Sequence, residues 1–89
     1  MKVKIELFGA ARDFSEQNLL ELDLDQKSTI KDIRKKMIQY LDQKFKGNEN
    51  YKKIVNSSAF CSEENNIVSD NYKITNNEKI SIIPPIGGG

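Results

Sequence analysis

Two segments near the amino terminus alternate between polar and apolar residues. Residues 2–8 and residues 20–24 both follow a period of two, which is typical of β-strands that bury one face. Gly9 and the polar stretch 12–18 lie between them. The pattern therefore predicts a β-hairpin with a long loop.

The period then changes to that of an amphipathic helix. Apolar residues recur at spacings of three and four along one stripe, with one more beside it: Ile30, Ile33, Met37, Leu41 and Phe45, and Ile38. Ser28 or Thr29 is a suitable N-cap, and Asp32 lies in the first turn, where the helix dipole favours an acidic side chain. Gly47 follows the last apolar position and predicts the end of the helix.

The second half of the chain contains shorter apolar segments. Residues 48–53 are polar and predict a connection, whereas residues 53–60 contain two apolar pairs and predict a strand. Residues 63–66 are turn-like, and residues 67–68 predict a short returning strand.

The last regular element is predicted at residues 79–83, which contain three isoleucines. Residues 74–78 predict a tight turn before it, because asparagine tolerates left-handed backbone angles. The helix must pack its stripe against the sheet, and a right-handed crossover allows the last strand to lie parallel to the first. Residues 1–83 are therefore predicted to form an α+β domain of the ubiquitin-like β-grasp type, a mixed sheet with one main helix packed on it.

Composition excludes several kinds of site. The chain contains no histidine and one cysteine, Cys61, so it lacks the commonest general base, a disulfide framework and a zinc site. We therefore expect no bound metal or cofactor. Cys61 follows the apolar Phe60 and has no basic residue beside it in the sequence to stabilise a thiolate. This favours a packed or half-exposed strand residue at Cys61 over a redox or sulfur-relay thiol.

The basic residues cluster in one part of the chain. Residues 27–53 contain nine basic and three acidic residues. The basic residues of the predicted helix occupy much of the surface opposite its apolar stripe: Lys31, Arg34, Lys35 and Lys36. A solvated face explains them better than a nucleic-acid surface. No apolar run approaches the length of a membrane span, and no secretory signal pattern is present, so we expect a cytoplasmic protein without a nucleic-acid or membrane partner.

The last six residues differ from the rest in composition: Pro84, Pro85, Ile86, Gly87, Gly88 and Gly89. The prolines cannot donate hydrogen bonds to a sheet and hold the backbone extended. The glycines have no side chains, so this tail is slim enough to enter a narrow channel. We expect residues 84–89 to form an extended tail whose reactive group is the Gly89 carboxylate, activated by an ATP-using partner; the alternative is a frayed terminus.

This ending resembles that of the small, sulfur-carrying subunit of molybdopterin synthase, a β-grasp protein of the MoaD/ThiS class. That family ends in Pro-Pro-hydrophobic-x-Gly-Gly, and the matching residues here are Pro84, Pro85, Ile86, Gly88 and Gly89. Residues 74–83 are similar to the family pattern Leu-x-Asp-Gly-Asp-Glu-Val-x-hydrophobic-hydrophobic, with Asn76 and Asn77 in place of Asp-Gly.

The resemblance is weaker upstream. Residues 7–13 are similar to the end of the first strand of the family, and Val55-Asn56 to its central Val-Asn. Residues 57–73 are longer than its usual hairpin.

The resemblance implies a mechanism. A partner related to ubiquitin-activating enzymes would adenylate Gly89 with ATP, and sulfur would then replace AMP to give a thiocarboxylate. Residues 84–88 would lead the end of the chain into the large subunit of molybdopterin synthase, where sulfur passes to a cyclic pyranopterin precursor. Catalytic side chains would belong to that large subunit, in a heterotetramer of two small and two large subunits, and this chain would bind no cofactor.

Two other functions stay open. The same chemistry could serve thiamin thiazole synthesis or transfer-RNA thiolation, although Pro84 and Pro85 argue against this. The chain could also be a ubiquitin-like modifier or an interaction domain. An apolar partner surface is expected near the tail, with Ile82 or Ile83 and Ile86 as candidates. Ile80 and Ile82 are better explained as core residues, and Ile86 is the better candidate.

Overall fold

The computed structural model of the protein describes residues 1–85. Its elements are β1 (Lys2–Leu7), a 3₁₀-helix (Gly9–Phe14), β2 (Leu19–Asp23), α1 (Ile30–Phe45), α2 (Glu49–Ser57), β3 (Ala59–Cys61), β4 (Ile67–Val68) and β5 (Lys79–Ile83). The strands form one sheet in the order β2-β1-β5-β3-β4.

The sheet is mixed, as the sequence predicts. β1 pairs antiparallel with β2 and parallel with β5, while β3 pairs antiparallel with β5 and β4. The alternate positions of each strand point to one face and are buried, for example Val3, Ile5 and Leu7 on β1 and Ile80 and Ile82 on β5. The helix α1 covers this face, since its apolar stripe belongs to the same core.

The ends of α1 follow the chemistry that its sequence predicts. The Asp32 carboxylate accepts hydrogen bonds from the backbone N–H of Thr29 (2.9 Å) and from its hydroxyl (3.2 Å). The backbone hydrogen bond from Thr29 holds the pKa of Asp32 below its usual value. Lys46 and Gly47 then adopt left-handed angles (φ +54° and +75°), which ends the helix.

The prediction for residues 48–58 is wrong. The structure has a second helix there, α2, instead of a polar connection followed by a strand. The Asn48 side chain accepts a hydrogen bond from the backbone N–H of Tyr51 (3.1 Å) and so caps the helix. Val55 and Asn56 therefore lie in a helix, and the predicted strand is confirmed only from Ala59 onward.

The long loop of the first hairpin is also ordered. It contains the 3₁₀-helix, whose Ala11 and Phe14 are fully buried. The Phe14 carbonyl accepts a hydrogen bond from the Tyr40 hydroxyl of α1 (3.0 Å), and the Phe14 ring packs on Tyr51 of α2 with centroids 5.2 Å apart. The 3₁₀-helix is thereby fixed against both helices.

Candidate functional site

The base of the predicted tail is held by the centre of the sheet. β5 lies between β1 and β3, and its last residues pair with both neighbours: Ile82 with Leu7, and Ile83 with Ala59. Pro84 follows and is buried, whereas Pro85 is exposed. The chain therefore leaves the domain from a strand that is hydrogen-bonded on both sides.

The start of the 3₁₀-helix packs against this base. Gly9 adopts a φ of +53°, and a Cβ placed there would lie 3.8 Å from Cδ and 3.9 Å from Cγ of Pro84. Those are ordinary contact distances, so the left-handed backbone rather than a lack of space favours glycine. The segment 7–13, which resembles a family motif, thus lies beside the point where the tail begins.

A groove of about 260 Å³ borders the same point. Its lining residues come from the 3₁₀-helix, one face of α2 and the start of the tail: Ala10, Asn50, Lys53, Ile54, Ser57, Pro84 and Pro85. Sequence reasoning missed this groove because residues 48–57 were predicted as connection and strand.

An apolar patch lies on the face of the sheet opposite α1. Phe60 of β3 is buried, so Ala59 and Cys61 point to the open face, where Ala59 pairs with Ile83 and Cys61 with Ile67. Ile67 is 76% exposed and Ile83 38% exposed. We call the four residues Ala59, Cys61, Ile67 and Ile83 the sheet patch. The patch adjoins the tail through Ile83.

The burial of the isoleucines of β5 agrees with the prediction that Ile80 and Ile82 belong to the core. Ile80 and Ile82 are fully buried and belong to the core, and Ile83 is exposed. Cys61 is half-buried in a strand, as expected for a packed residue. Ile86, the other candidate for the partner surface, lies outside the described residues.

The opposite end of β5 is fixed by a buried acidic residue. The Glu78 carboxylate accepts hydrogen bonds from the backbone N–H (2.9 Å) and hydroxyl (3.1 Å) of Thr75, the Tyr72 hydroxyl (2.8 Å) and the backbone N–H of Glu63 (3.3 Å). Burial alone would raise the pKa of Glu78, but these hydrogen bonds outweigh it and lower the pKa. Glu78 in turn raises the pKa of Tyr72 to about 12.

The structure also places the basic residues of α1. Lys31, Lys35 and Lys36 are exposed, whereas Arg34 is half-buried. Arg34 pairs with Asp70 (3.0 Å), donates to the Val55 carbonyl (2.6 Å) and lies over the Phe60 ring at 4.7 Å. Its contacts are therefore structural.

Other kinds of site find no support in the described part of the chain. No group of three or more potential metal ligands occurs within residues 1–85. No helix in the same range is long and apolar enough to cross a membrane.

Of the predicted tail residues, only Pro84 and Pro85 lie within the described structure. Ile86, Gly87, Gly88 and Gly89 lie outside it. The assignment of the reactive group to Gly89 therefore stays a prediction.

Comparison with known proteins identifies the fold. SAMP1 from Haloferax volcanii superimposes with a TM-score of 0.70 over 100% of both chains, at 13% sequence identity. A putative molybdopterin converting factor, subunit 1, from Pyrococcus furiosus gives a TM-score of 0.71 at 19% identity, over 96% of this chain and 98% of its own.

The chain has the ubiquitin-like β-grasp fold. A second structure of the H. volcanii small archaeal modifier protein 1 agrees, with a TM-score of 0.68 at 11% identity over 96% of this chain and 98% of its own. No protein-family model matches the sequence, and no curated protein matches it. These similarities confirm the predicted α+β class. They also confirm that this β-grasp protein resembles the MoaD/ThiS class in its fold.

Proposed function

We propose that this β-grasp protein is a sulfur carrier and the small subunit of a molybdopterin synthase. The observation that carries the proposal is the base of the tail: a central strand ends at Ile83, and Pro84 is buried against Gly9. A Pro-Pro-Ile-Gly-Gly-Gly sequence that leaves a firmly held base is suited to reach into the active site of a partner. The similarity to a putative molybdopterin converting factor subunit supports the same assignment.

The proposed chemistry takes place at the carboxylate of Gly89. A partner enzyme transfers AMP from ATP to this carboxylate and releases pyrophosphate. A sulfide nucleophile from the sulfur donor then attacks the acyl carbon, AMP leaves, and a thiocarboxylate remains. In the large subunit of the synthase the thiocarboxylate sulfur bonds to a cyclic pyranopterin precursor to form a thioester. Water then cleaves the acyl–sulfur bond, which restores the carboxylate and leaves the sulfur on the pterin. Because glycine has no Cβ, its carbonyl carbon stays uncrowded when sulfur attacks it and when water attacks it.

The proposed partners need a surface to dock on as well as the tail. The sheet patch supplies one, because its two exposed isoleucines are apolar and one of them, Ile83, lies at the base of the tail. Docking there would fix the distance between the patch and the end of the chain, so that both the adenylating enzyme and the large subunit receive Gly89 in a reproducible position.

A ubiquitin-like modifier is the second candidate function. It is favoured by the similarity to SAMP1 and to the small archaeal modifier protein 1. A modifier would use the same activated Gly89 but would transfer it to lysine side chains of other proteins.

Intact mass spectrometry of the protein produced with its native partners tests the proposal. We expect one sulfur-for-oxygen exchange, located at Gly89, and its loss when Gly89 is deleted or one residue is appended. The thermal midpoint of both variants should be unchanged, because the buried core of the described residues lies between Val3 and Ile82. Covalent conjugates to other proteins without the thiocarboxylate would favour the modifier. Full sulfur transfer by the extended variant would refute the assignment of the reactive carboxylate to Gly89.

A further inference from the structure

The two edge strands of the sheet differ in length. β4 forms one edge and contains two residues, whereas β2 forms the other and contains five. The register between β1 and β2 is continuous, and β2 contains no proline. Short strands, bulges and prolines are the usual features that keep an edge from pairing with another chain. β2 has none of them, so its outer edge is able to accept a further strand.

The pairing with β1 shows which backbone groups of β2 face this outer edge. The Leu7 N–H donates to the Asn18 carbonyl (3.0 Å), and hydrogen-bonded pairs alternate with non-hydrogen-bonded pairs in an antiparallel ladder. The N–H and C=O groups of Leu19, Glu21 and Asp23 therefore point away from β1. Within residues 1–85, these groups form no hydrogen bond. An added strand would pair with them.

The side chains beside this edge on the open face of the sheet are acidic. Glu21 and Asp23 are exposed there and lie opposite Lys4 and Lys2 of β1. The Glu21 carboxylate contacts Lys2 (3.2 Å), yet its side chain is 49% exposed, so a second cation can approach it. Because the charge alternates from β1 to β2, an added strand continues the pattern when it places basic residues opposite Glu21 and Asp23.

The wider charge distribution favours the same kind of segment. Residues 1–26, which include both strands, contain six acidic and three basic residues. A second copy of this chain fits the edge poorly, because an antiparallel β2–β2 pair that overlaps over the whole strand places Glu21 opposite Glu21. Like charges directly opposite each other destabilise a strand pair. The charges therefore favour a basic segment of another protein.

The helix side of the edge has a different character. A cavity of about 180 Å³ at the end of β2 is lined by residues of both charges, among them Asp25, Asp32, Lys35 and Lys36. A slip of one residue in an added strand would turn its basic residues to this side and away from Glu21. The acidic open face thus sets the register, and the residues that face α1 should be uncharged.

We propose that the outer edge of β2 binds an extended segment of a partner protein as an added antiparallel strand. Its basic residues lie opposite Asp23 and Glu21, and an apolar residue lies opposite Leu19, so its sequence reads basic-x-basic-x-apolar with uncharged residues at x. Main-chain hydrogen bonds supply the affinity and the alternate side chains supply the specificity. The sheet patch lies towards the opposite edge, and this site does not rest on sulfur chemistry.

Amide hydrogen exchange of the full-length protein with the peptide acetyl-Thr-Arg-Thr-Lys-Thr-Ile-Thr-amide tests the proposal. The amides of Leu20 and Leu22 face β1 and should exchange slowly with or without the peptide. The amides of Glu21 and Asp23 should exchange rapidly in the protein alone. At saturating peptide their exchange should slow by at least about tenfold.

A peptide that is N-methylated at its lysine is the matched control for main-chain pairing. It keeps every side chain and charge but loses the N–H group that would donate to the Glu21 carbonyl, so we expect at least about tenfold weaker binding. Glu21→Lys should weaken binding of the unmodified peptide and restore binding of a peptide with glutamate in place of lysine. Glu64→Lys changes the charge of an exposed residue near the other edge and should have little effect.

Three results would overturn the proposal. Equal affinity of the N-methylated and unmodified peptides would show that only ionic contacts are made. Slow exchange of Glu21 and Asp23 before peptide is added would show that the edge is already covered, by a second copy if the protection is lost on dilution and by this chain itself if it is not. Absence of binding at about 1 mM peptide would exclude a specific site for a basic strand.

Discussion

Glu78 holds the turn before β5 by accepting hydrogen bonds from Tyr72, Thr75 and Glu63. We predict that Glu78→Gln lowers the free energy of unfolding by about 1–3 kcal/mol at neutral pH, because the amide nitrogen cannot accept the hydrogen bonds that one carboxylate oxygen now accepts. Urea denaturation measures the change. Glu64→Gln is the control, since Glu64 is exposed, and it should have little effect.

The same substitution has a predicted pH dependence. The pKa of Glu78 is lowered in the folded protein, so its stabilisation is complete above the ordinary glutamate pKa of about 4.3 and is lost as the pH falls through the folded value. Glutamine does not titrate. The difference between the two proteins should therefore shrink on acidification, and a difference that stays constant down to about pH 3 would contradict this account.

The sequence of this turn predicted its backbone conformation but not the burial of Glu78. Asn77 was predicted in a tight turn, and its φ of +63° confirms the left-handed angle. The burial of Glu78 was not predicted, because a glutamate in a polar turn is normally exposed. Thr75 and Glu78 have the same three-residue spacing as Thr29 and Asp32, and that spacing allows a carboxylate to bond back to a backbone N–H.

At the level of elements, the strands and the long helix were predictable, including the short returning strand β4 (Ile67–Val68), and the short helix α2 was not. The predictions of β1, β2 and α1 are confirmed because each repeats its period over at least five residues. The prediction of β5 is confirmed because its three isoleucines follow a recognisable turn. α2 was missed because Ile54 and Val55 are adjacent apolar residues, which fit a strand as well as a helix. Asn48 as an N-cap, followed by Tyr51, Ile54 and Val55 at helical spacing, was the signal for the helix.

Arg34 of α1 is bonded to the end of α2. This side chain donates to the Val55 carbonyl in the last turn of α2, where carbonyls lack helical partners. We predict that Arg34→Met lowers the free energy of unfolding by about 1–2 kcal/mol, since it removes a charged hydrogen bond, and speeds hydrogen exchange in the last turn of α2.

Lys35→Met is the matched control, because Lys35 is the exposed neighbour on the same helix. Both substitutions introduce methionine on α1 and remove one positive charge. Equal acceleration of hydrogen exchange in both variants would show that net charge, not the hydrogen bond from Arg34, stabilises α2.

For the whole molecule, topology was predictable from the order of elements together with the handedness of crossovers. A hairpin, a helix and a final buried strand leave few arrangements, and the parallel pairing of β5 with β1 is the predicted one. The groove and the sheet patch were harder to foresee, since each combines residues from distant parts of the chain. Ala10, Lys53 and Pro84 meet only after folding, and the sheet patch depends on the register of β3 and β4.

The sheet patch gives the last prediction, which concerns the molecule as a partner-binding body. Ile67 is the most exposed large apolar residue of the described chain. Its substitution by Asp removes apolar surface without touching the core, so the fold should be kept. If the patch docks the adenylating enzyme, Ile67→Asp should weaken binding about tenfold, which corresponds to about 1.4 kcal/mol, because the substitution replaces an apolar contact by a charge in the docking surface. Isothermal titration calorimetry with the purified enzyme measures this.

Asn66→Asp supplies the control, because Asn66 is the exposed neighbour of Ile67 and the substitution introduces the same charge. Retained affinity in Asn66→Asp together with weakened affinity in Ile67→Asp assigns the effect to the apolar contact. Weakening in both variants would instead indicate repulsion of negative charge by the partner. Unchanged affinity in Ile67→Asp would contradict the patch as a docking surface while leaving the chemistry of Gly89 untested, because the tail and the patch contribute to binding separately.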